Sequence, residues 1–163
     1  MGLMPLQLVI GISDCKASDN PKASFVTYAL GSCVGVAIYD PTMHVGGLAH
    51  IMLPQSRGIS ALDQNPFIYA DTGVIGLARE VIRLGGHKDR IVAKIAGGAN
   101  MLSTSSILDI GARNSKAVIS TLNMLNIRIM ASDVGGNAGR TMHLFLATGA
   151  VVIRTIGGGE ETL

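Results

Sequence analysis

One cysteine and one histidine in this 163-residue sequence stand where they could perform nucleophilic chemistry together. Cys33 directly follows Gly31 and Ser32, and His50 lies in a later apolar stretch. A thiol attacks strongly only as the thiolate, and an imidazole nearby can take its proton. Gly31 can adopt backbone angles closed to other residues, so this loop can aim successive N–H groups at one point, where they would hold an oxyanion. The pattern predicts covalent catalysis by Cys33 with His50 as its base.

Two apolar runs joined by a short turn must position these side chains. Val34 to Asp40 and Gly46 to Leu53 are rich in β-branched and aliphatic residues, which predicts an antiparallel hairpin. If Asp40 pairs with Val45, Cys33 and His50 share one face of the hairpin as diagonal neighbours, with Cα atoms roughly 7–8 Å apart. A slip of one residue would move one of the two to the other face, so the prediction depends on the turn.

A third group is needed to orient the imidazole. No Asp or Glu lies within the twelve residues before Cys33, and Thr27 is the nearest candidate on the preceding predicted strand. Its hydroxyl or its backbone carbonyl could accept a hydrogen bond from the ring, and the sequence leaves both alternatives open. An uncharged acceptor stabilises an imidazolium less than a carboxylate does, so we expect a modest hydrolase.

Each of the three residues also has a purely structural explanation. A cysteine on an apolar strand is often a small buried hydrophobe, and a histidine between Ala49 and Ile51 is often a hydrogen-bonded core residue. Threonine is simply a good strand former. The residue types alone therefore leave a structural role and a catalytic role open.

Four sequence blocks in a fixed order extend over nearly the whole chain. They are TYALGSCV at 27–34 with Asp40 and HIMLP at 50–54, AKIAGGANM at 93–101, IGARN at 110–114 and DVGGNAGR at 133–140. In these blocks the chain resembles the CheD family, the chemoreceptor glutamine deamidases of bacterial chemotaxis. One difference is Ala96, where that family usually has an aromatic residue.

The resemblance implies an activity, site residues and partners. The family's catalytic residues fall on Cys33, His50 and Thr27. The implied reaction converts glutamine side chains of methyl-accepting chemotaxis receptors to glutamate, releasing ammonia through a cysteine thioester and without a cofactor. The implied partner is the cytoplasmic domain of these receptors. An alternative from a different class is a regulatory binding module that acts as partner and activator of the CheC phosphatase.

Composition excludes several other classes of protein. The length suits a single domain, here 1–163, and 48% apolar with 15% charged residues disfavours disorder. A net charge of +2, with scattered basic residues, disfavours nucleic acid as a partner. Two cysteines and no apolar run of membrane-spanning length favour a cytoplasmic protein without membrane insertion. The cysteines and histidines lack paired metal-ligand spacing, so we expect no metal.

The expected fold is a mixed, largely antiparallel α/β sandwich with two main helices, and the resemblance implies a fold similar to that of bacterial toxin deamidases. Apolar positions at three- and four-residue spacing predict a helix within Phe67 to Leu84, and Asn114 or Ser115 would cap a second helix through Leu125. The remaining predictions are strands at 6–12, 25–29, 91–95, 128–134, 141–146 and 150–156, a polar turn segment at 13–22, a surface loop at 55–65 and a frayed tail at 157–163.

Overall fold

The computed structural model describes residues 5–58, 65–102 and 108–163. Over these residues the chain forms two five-stranded sheets, two α-helices and a short 3-10 turn at Pro66–Ile68. The elements are β1 (Leu6–Val9), β2 (Cys15–Ser18), β3 (Ala23–Leu30), β4 (Val34–Asp40), β5 (Val45–Ile51), α1 (Ala70–Arg83), β6 (Val92–Gly97), α2 (Ile110–Met124), β7 (Arg128–Val134), β8 (Arg140–Phe145), β9 (Ala150–Thr155) and β10 (Glu160–Thr162).

The two sheets form a layered sandwich. Sheet 1 has the order β1-β3-β8-β9-β10, and sheet 2 has the order β2-β5-β4-β6-β7. In the described part of the chain, β1 pairs with β3 and β6 with β7 in parallel, and all other strand pairs within the sheets are antiparallel. The mixed, largely antiparallel sandwich with two main helices is therefore confirmed.

Sheet 2 carries an apolar core on each of its faces. Alternate residues of β4 point to opposite sides, so Val36 and Ile38 pack with α1 and α2, while Ala37 and Tyr39 pack against sheet 1. Every residue of β4 is buried, because this strand is central in its sheet and covered on both faces. Ala96 is fully buried in the layer between the sheets.

The β4–β5 hairpin has the predicted register, with Asp40 opposite Val45 and Gly35 opposite His50. Its turn is fixed by Asp40, which is fully buried. The carboxylate accepts hydrogen bonds from the N–H groups of Thr42, Met43 and His87, and it pairs with the Arg90 guanidinium at 2.9 Å. Burial alone would raise the pKa of Asp40, but Arg90 and the three N–H groups lower it to about 2.

Three local predictions are wrong. The segment at 13–22, predicted as a turn, contains β2, an edge strand of only four residues in which Cys15 and Ala17 alternate with polar residues and pack against the core. Helix α2 begins at Ile110, because the Asp109 side chain caps it by accepting a hydrogen bond from Ala112 N at 2.9 Å. The tail is not frayed, since β10 pairs with β9. Most of the surface loop predicted at 55–65 lies outside the described residues.

Candidate active site

Thr27 and His50 meet in the layer between the two sheets. Thr27 lies on β3 of sheet 1 and His50 on β5 of sheet 2, and both side chains are buried. The Thr27 hydroxyl Oγ1 is 2.7 Å from His50 Nδ1 and 2.9 Å from the backbone oxygen of Ile10. Of the two groups that the sequence left open, it is therefore the hydroxyl that contacts the ring.

This pair of contacts determines where the imidazole proton lies. The Ile10 carbonyl can only accept, so the Thr27 hydroxyl donates its single proton there. Toward His50 the hydroxyl must then accept, which requires the proton on Nδ1. The other ring nitrogen, Nε2, is left with a free lone pair, as a general base requires.

His50 is held in its neutral form. Its side chain is buried, and Nε2 has no hydrogen-bond partner among the described residues. Burial disfavours the charged imidazolium and lowers the pKa of His50 to about 4. The ring is thus available as a base at neutral pH.

Cys33 lies just before β4, on the face of the hairpin that carries His50. The register pairs Gly35 with His50, which makes Cys33 the diagonal neighbour of the histidine, and the half-buried thiol packs against the core between the sheets. Burial raises the pKa of Cys33, and the cysteine's own backbone N–H lowers it less strongly. Both groups are therefore neutral at rest, and no hydrogen bond joins Nε2 to the thiol among the described residues, so proton transfer must accompany attack.

The loop that carries Cys33 is anchored through its carbonyl groups. The carbonyl oxygens of residues 31–33 accept, in order, from Ala99 N at 2.8 Å, from the Asn114 side chain at 2.9 Å and from Gly98 N at 2.8 Å. Because the N–H and C=O of a trans peptide point in opposite directions, these bonds turn the N–H groups of the loop away from the anchoring residues.

The sequence suggested that Gly31 makes the sharp bend before Cys33, but the structure places the bend elsewhere. The left-handed backbone angle belongs to Ala29, whose φ is 57°, at a bulge where the β3–β8 register shifts. A Cβ at Gly31 would lie 3.2 Å from the exposed Met101 side chain, a tight contact that a small movement of this flexible side chain would relieve.

Gly97 and Gly98 allow the end of β6 to pack against the Cys33 loop. Their φ angles of 108° and 61° are left-handed, and a Cβ on Gly97 would collide with the Cys33 carbonyl oxygen. A Cβ on Gly98 would collide with Ser115 of α2. Both the backbone angles and the close contacts therefore require glycine at these two positions.

Arg140 stabilises the Gly97–Gly98 turn through hydrogen bonds to backbone carbonyl groups. The guanidinium is buried and forms an ion pair with Asp133 at 3.0 Å. It also donates hydrogen bonds to the carbonyl oxygens of Gly97, at 3.3 Å, and Gly135, at 2.8 Å. The block at 133–140 therefore holds the turn that packs against the Cys33 loop.

An open pocket of about 300 Å³ lies beside the loop. It is lined by Ser32, by residues 99–102 and by residues 108–111, and most of its wall is apolar. Met101, Leu102 and Leu108 are exposed there. In the described ranges, 5–58, 65–102 and 108–163, no three acidic, histidine or cysteine side chains form a group that could hold a metal ion.

Comparison with known proteins identifies the family of this chain. Residues 52–155 match the family model described as CheD chemotactic sensory transduction, which is more than half of the chain. The chain belongs to the CheD family. The matched residues begin after Thr27, Cys33 and His50 and therefore do not include these three residues.

Full-length relatives in the CheD family extend the match. Proteins named "probable chemoreceptor glutamine deamidase CheD" are 47% identical in Desulforamulus reducens, 43% in Symbiobacterium thermophilum and 42% in Clostridium botulinum. These alignments cover 93%, 94% and 96% of this chain and 92%, 95% and 98% of the relatives. Since so little of the chain is left out, the aligned segments include Thr27, Cys33 and His50.

Two solved structures of other families are distantly similar to this CheD chain. The Bacillus licheniformis hypothetical protein YfiH is 16% identical with a TM-score of 0.39, over 74% of this chain and 49% of that one. A Neisseria meningitidis protein of family DUF152 is 9% identical with a TM-score of 0.43, over 80% of this chain and 63% of that one.

Over the described residues, no helix of the CheD chain has the length and apolar character needed to cross a membrane.

Proposed function

We propose that this chain is a cysteine-dependent protein-glutamine deamidase that converts glutamine side chains of methyl-accepting chemotaxis receptors to glutamate. The observation that carries the proposal is the contact between Thr27 and His50, which places the proton on Nδ1 and leaves Nε2 as a base on the face that Cys33 shares. The names of the relatives supply the substrate class.

The first half of the reaction forms a thioester. Nε2 of His50 takes the Cys33 proton as the sulfur attacks the side-chain carbonyl carbon of the substrate glutamine. The carbonyl oxygen becomes an oxyanion, which the Cys33 N–H stabilises. The protonated Nε2 then gives its proton to the amine, the C–N bond breaks, and ammonia leaves.

The second half of the reaction hydrolyses the thioester. Water attacks the thioester carbon as His50 Nε2 removes one of its protons, and the C–S bond breaks. The proton returns to the sulfur, which restores the neutral thiol and imidazole. The net change is an amide and water converted to a carboxylic acid and ammonia, so the reaction consumes no cofactor.

Thr27 supports the charge that develops on the ring. Once Nε2 is protonated, the Nδ1–H group becomes a stronger donor, and the Thr27 hydroxyl accepts this bond while it donates to Ile10. A hydroxyl stabilises the imidazolium less than a carboxylate would, which fits a modest turnover. The proposed setting is the cytoplasm, with one CheD-like domain acting on the cytoplasmic part of the receptor. The role as partner of CheC stays a prediction.

Release of ammonia from a purified receptor fragment tests this proposal. The parent protein should release ammonia, Cys33→Ala should release none, and Cys15→Ala is the matched control. Burial raises the pKa of Cys15 to about 12, so its thiol should not substitute for Cys33. Equal rates from the parent and Cys33→Ala would refute the assignment of the nucleophile, and the absence of ammonia from the parent would refute deamidation.

A further inference from the structure

The side chain of Asn114, on α2, connects this helix to two segments of the candidate active site, the Cys33 loop and the residues just after β5. We propose that Asn114 is the positioning residue for the oxyanion donor, because it fixes the Ser32–Cys33 peptide so that the Cys33 N–H points at the reacting carbonyl. This inference rests on the proposed deamidation. The sequence suggested only that Asn114 would cap a helix, whereas it lies within α2, at a fully buried position.

The hydrogen bonds of Asn114 use both protons of its amide. Nδ2 lies 2.9 Å from the carbonyl oxygen of Ser32 and 2.9 Å from that of Met52. Both partners can only accept, so the nitrogen rather than the oxygen of the amide must face them. The side chain therefore joins α2 to the Cys33 loop and to the residues just after β5, the strand that carries His50.

The geometry of the peptide bond transmits this anchor to the reaction centre. The Ser32 carbonyl and the Cys33 N–H belong to one planar trans peptide, and they point in opposite directions. Holding the Ser32 oxygen therefore holds the Cys33 N–H. The N–H and the sulfur of Cys33 belong to one residue and are separated by only three bonds (N–Cα, Cα–Cβ and Cβ–Sγ), so a donor fixed at this nitrogen lies near the carbon that the sulfur attacks. A rotation of this peptide would remove the donor and leave the thiol in place.

Few other side chains could replace Asn114 here. Aspartate has the same shape but would face the two carbonyl oxygens with oxygens of its own, and serine could donate only one bond. The remaining amide oxygen of Asn114, Oδ1, is buried without a partner among the described residues. A buried acceptor without a partner is unfavourable, so the bonds that justify asparagine at this position are the two that its N–H groups donate.

Two rates measured on the same variants separate this role from a structural one. The first is kcat for ammonia release from the receptor fragment, which requires the oxyanion donor. The second is alkylation of Cys33 by iodoacetamide, a displacement at a saturated carbon that forms no oxyanion. The variants are Asn114→Asp, which loses both donors without a change of shape, and Asn114→Ala, which introduces no repulsion and serves if the first does not fold. The control is Thr121→Val, which removes a buried hydrogen bond to the Ala117 carbonyl on the same helix.

We expect Asn114→Asp to lower kcat by roughly a hundredfold or more, the effect of losing one oxyanion donor, and Asn114→Ala by at least tenfold. KM, alkylation of Cys33 and the circular dichroism spectrum should change little, and Thr121→Val should leave both rates near those of the parent. A kcat within about threefold of the parent in the folded Asn114 variants would overturn the inference. A parallel fall in alkylation would also overturn it, because Asn114 would then act through the thiol. A parent that releases no ammonia would overturn the proposed function, and this inference with it.

Discussion

Replacing Thr27 with valine removes the hydroxyl that contacts His50, the proposed base, and keeps the shape and strand preference of the side chain. The substitution leaves two buried groups without a partner, the Nδ1–H of His50 and the carbonyl of Ile10. Each such group costs about 1–3 kcal/mol, so the free energy of unfolding should fall measurably. A histidine without this contact can also carry its proton on Nε2, the nitrogen that must act as the base.

The effect on turnover follows from the charge on the ring in the transition state. A hydrogen bond to a charged group contributes about 1.5–3 kcal/mol, which corresponds to a fall in kcat of roughly ten- to a hundredfold. KM should change little, because the Thr27 side chain is fully buried. The assay is ammonia release from a receptor fragment, at a temperature where both proteins are folded.

Thr27→Ser is the matched control, because it keeps the hydroxyl and loses only a methyl group. Its kcat should stay within about threefold of the parent. If Thr27→Val were as active as Thr27→Ser, the hydroxyl would not orient the base, and the reasoning from the 2.7 Å contact would be refuted.

Three further predictions concern ionisation. Because the pKa of His50 is lowered to about 4, kcat/KM should stay level down to about pH 5 and fall near pH 4, and a midpoint near 6.5 would contradict the neutral buried ring. Between pH 6.5 and 4 the unfolded chain binds more protons at this residue than the folded protein does, so the free energy of unfolding in urea should fall as the pH is lowered, and His50→Gln should weaken that dependence. Asp40→Asn should lower the free energy of unfolding by about 2 kcal/mol at pH 7, because the pKa of Asp40 is about 2 in the folded protein against an ordinary value of 3.8. The difference in stability between variant and parent should vanish as the pH falls from about 4 to 2. An equal stability of the variant and the parent at pH 7 would show that the buried contact with Arg90 does not stabilise the turn.

The hairpin that carries the candidate site could be predicted because its information is local. Two apolar runs of strand length and a short turn determine which residues pair, and the Asp40–Val45 register follows from the turn. The shared face of Cys33 and His50 is then a consequence of side-chain alternation. Asp40 fixes the turn, but its burial depends on contacts with His87 and Arg90. These residues lie far along the chain, so the local pattern does not show the contacts.

The contacts that complete the site could not be derived in this way because they join distant segments. Thr27 and His50 lie on different sheets, and nothing in the alternation of β3 indicates that its Thr27 faces β5. Asn114 has the residue type of a helix cap, so the actual cap at Asp109, a turn earlier, was missed. One sequence signal did indicate that this segment does more than begin a helix. Residues 110–114 form one of the blocks in which the chain resembles the CheD family.

Peptide mass spectrometry of a co-expressed chemoreceptor tests the central claim most directly. With the parent protein or Cys15→Ala, specific receptor glutamines should gain about 1 Da, the change from amide to carboxylate, and with Cys33→Ala they should remain glutamine. Receptor glutamines that stay unmodified with the parent, or that convert equally with Cys33→Ala, would contradict deamidation by this cysteine.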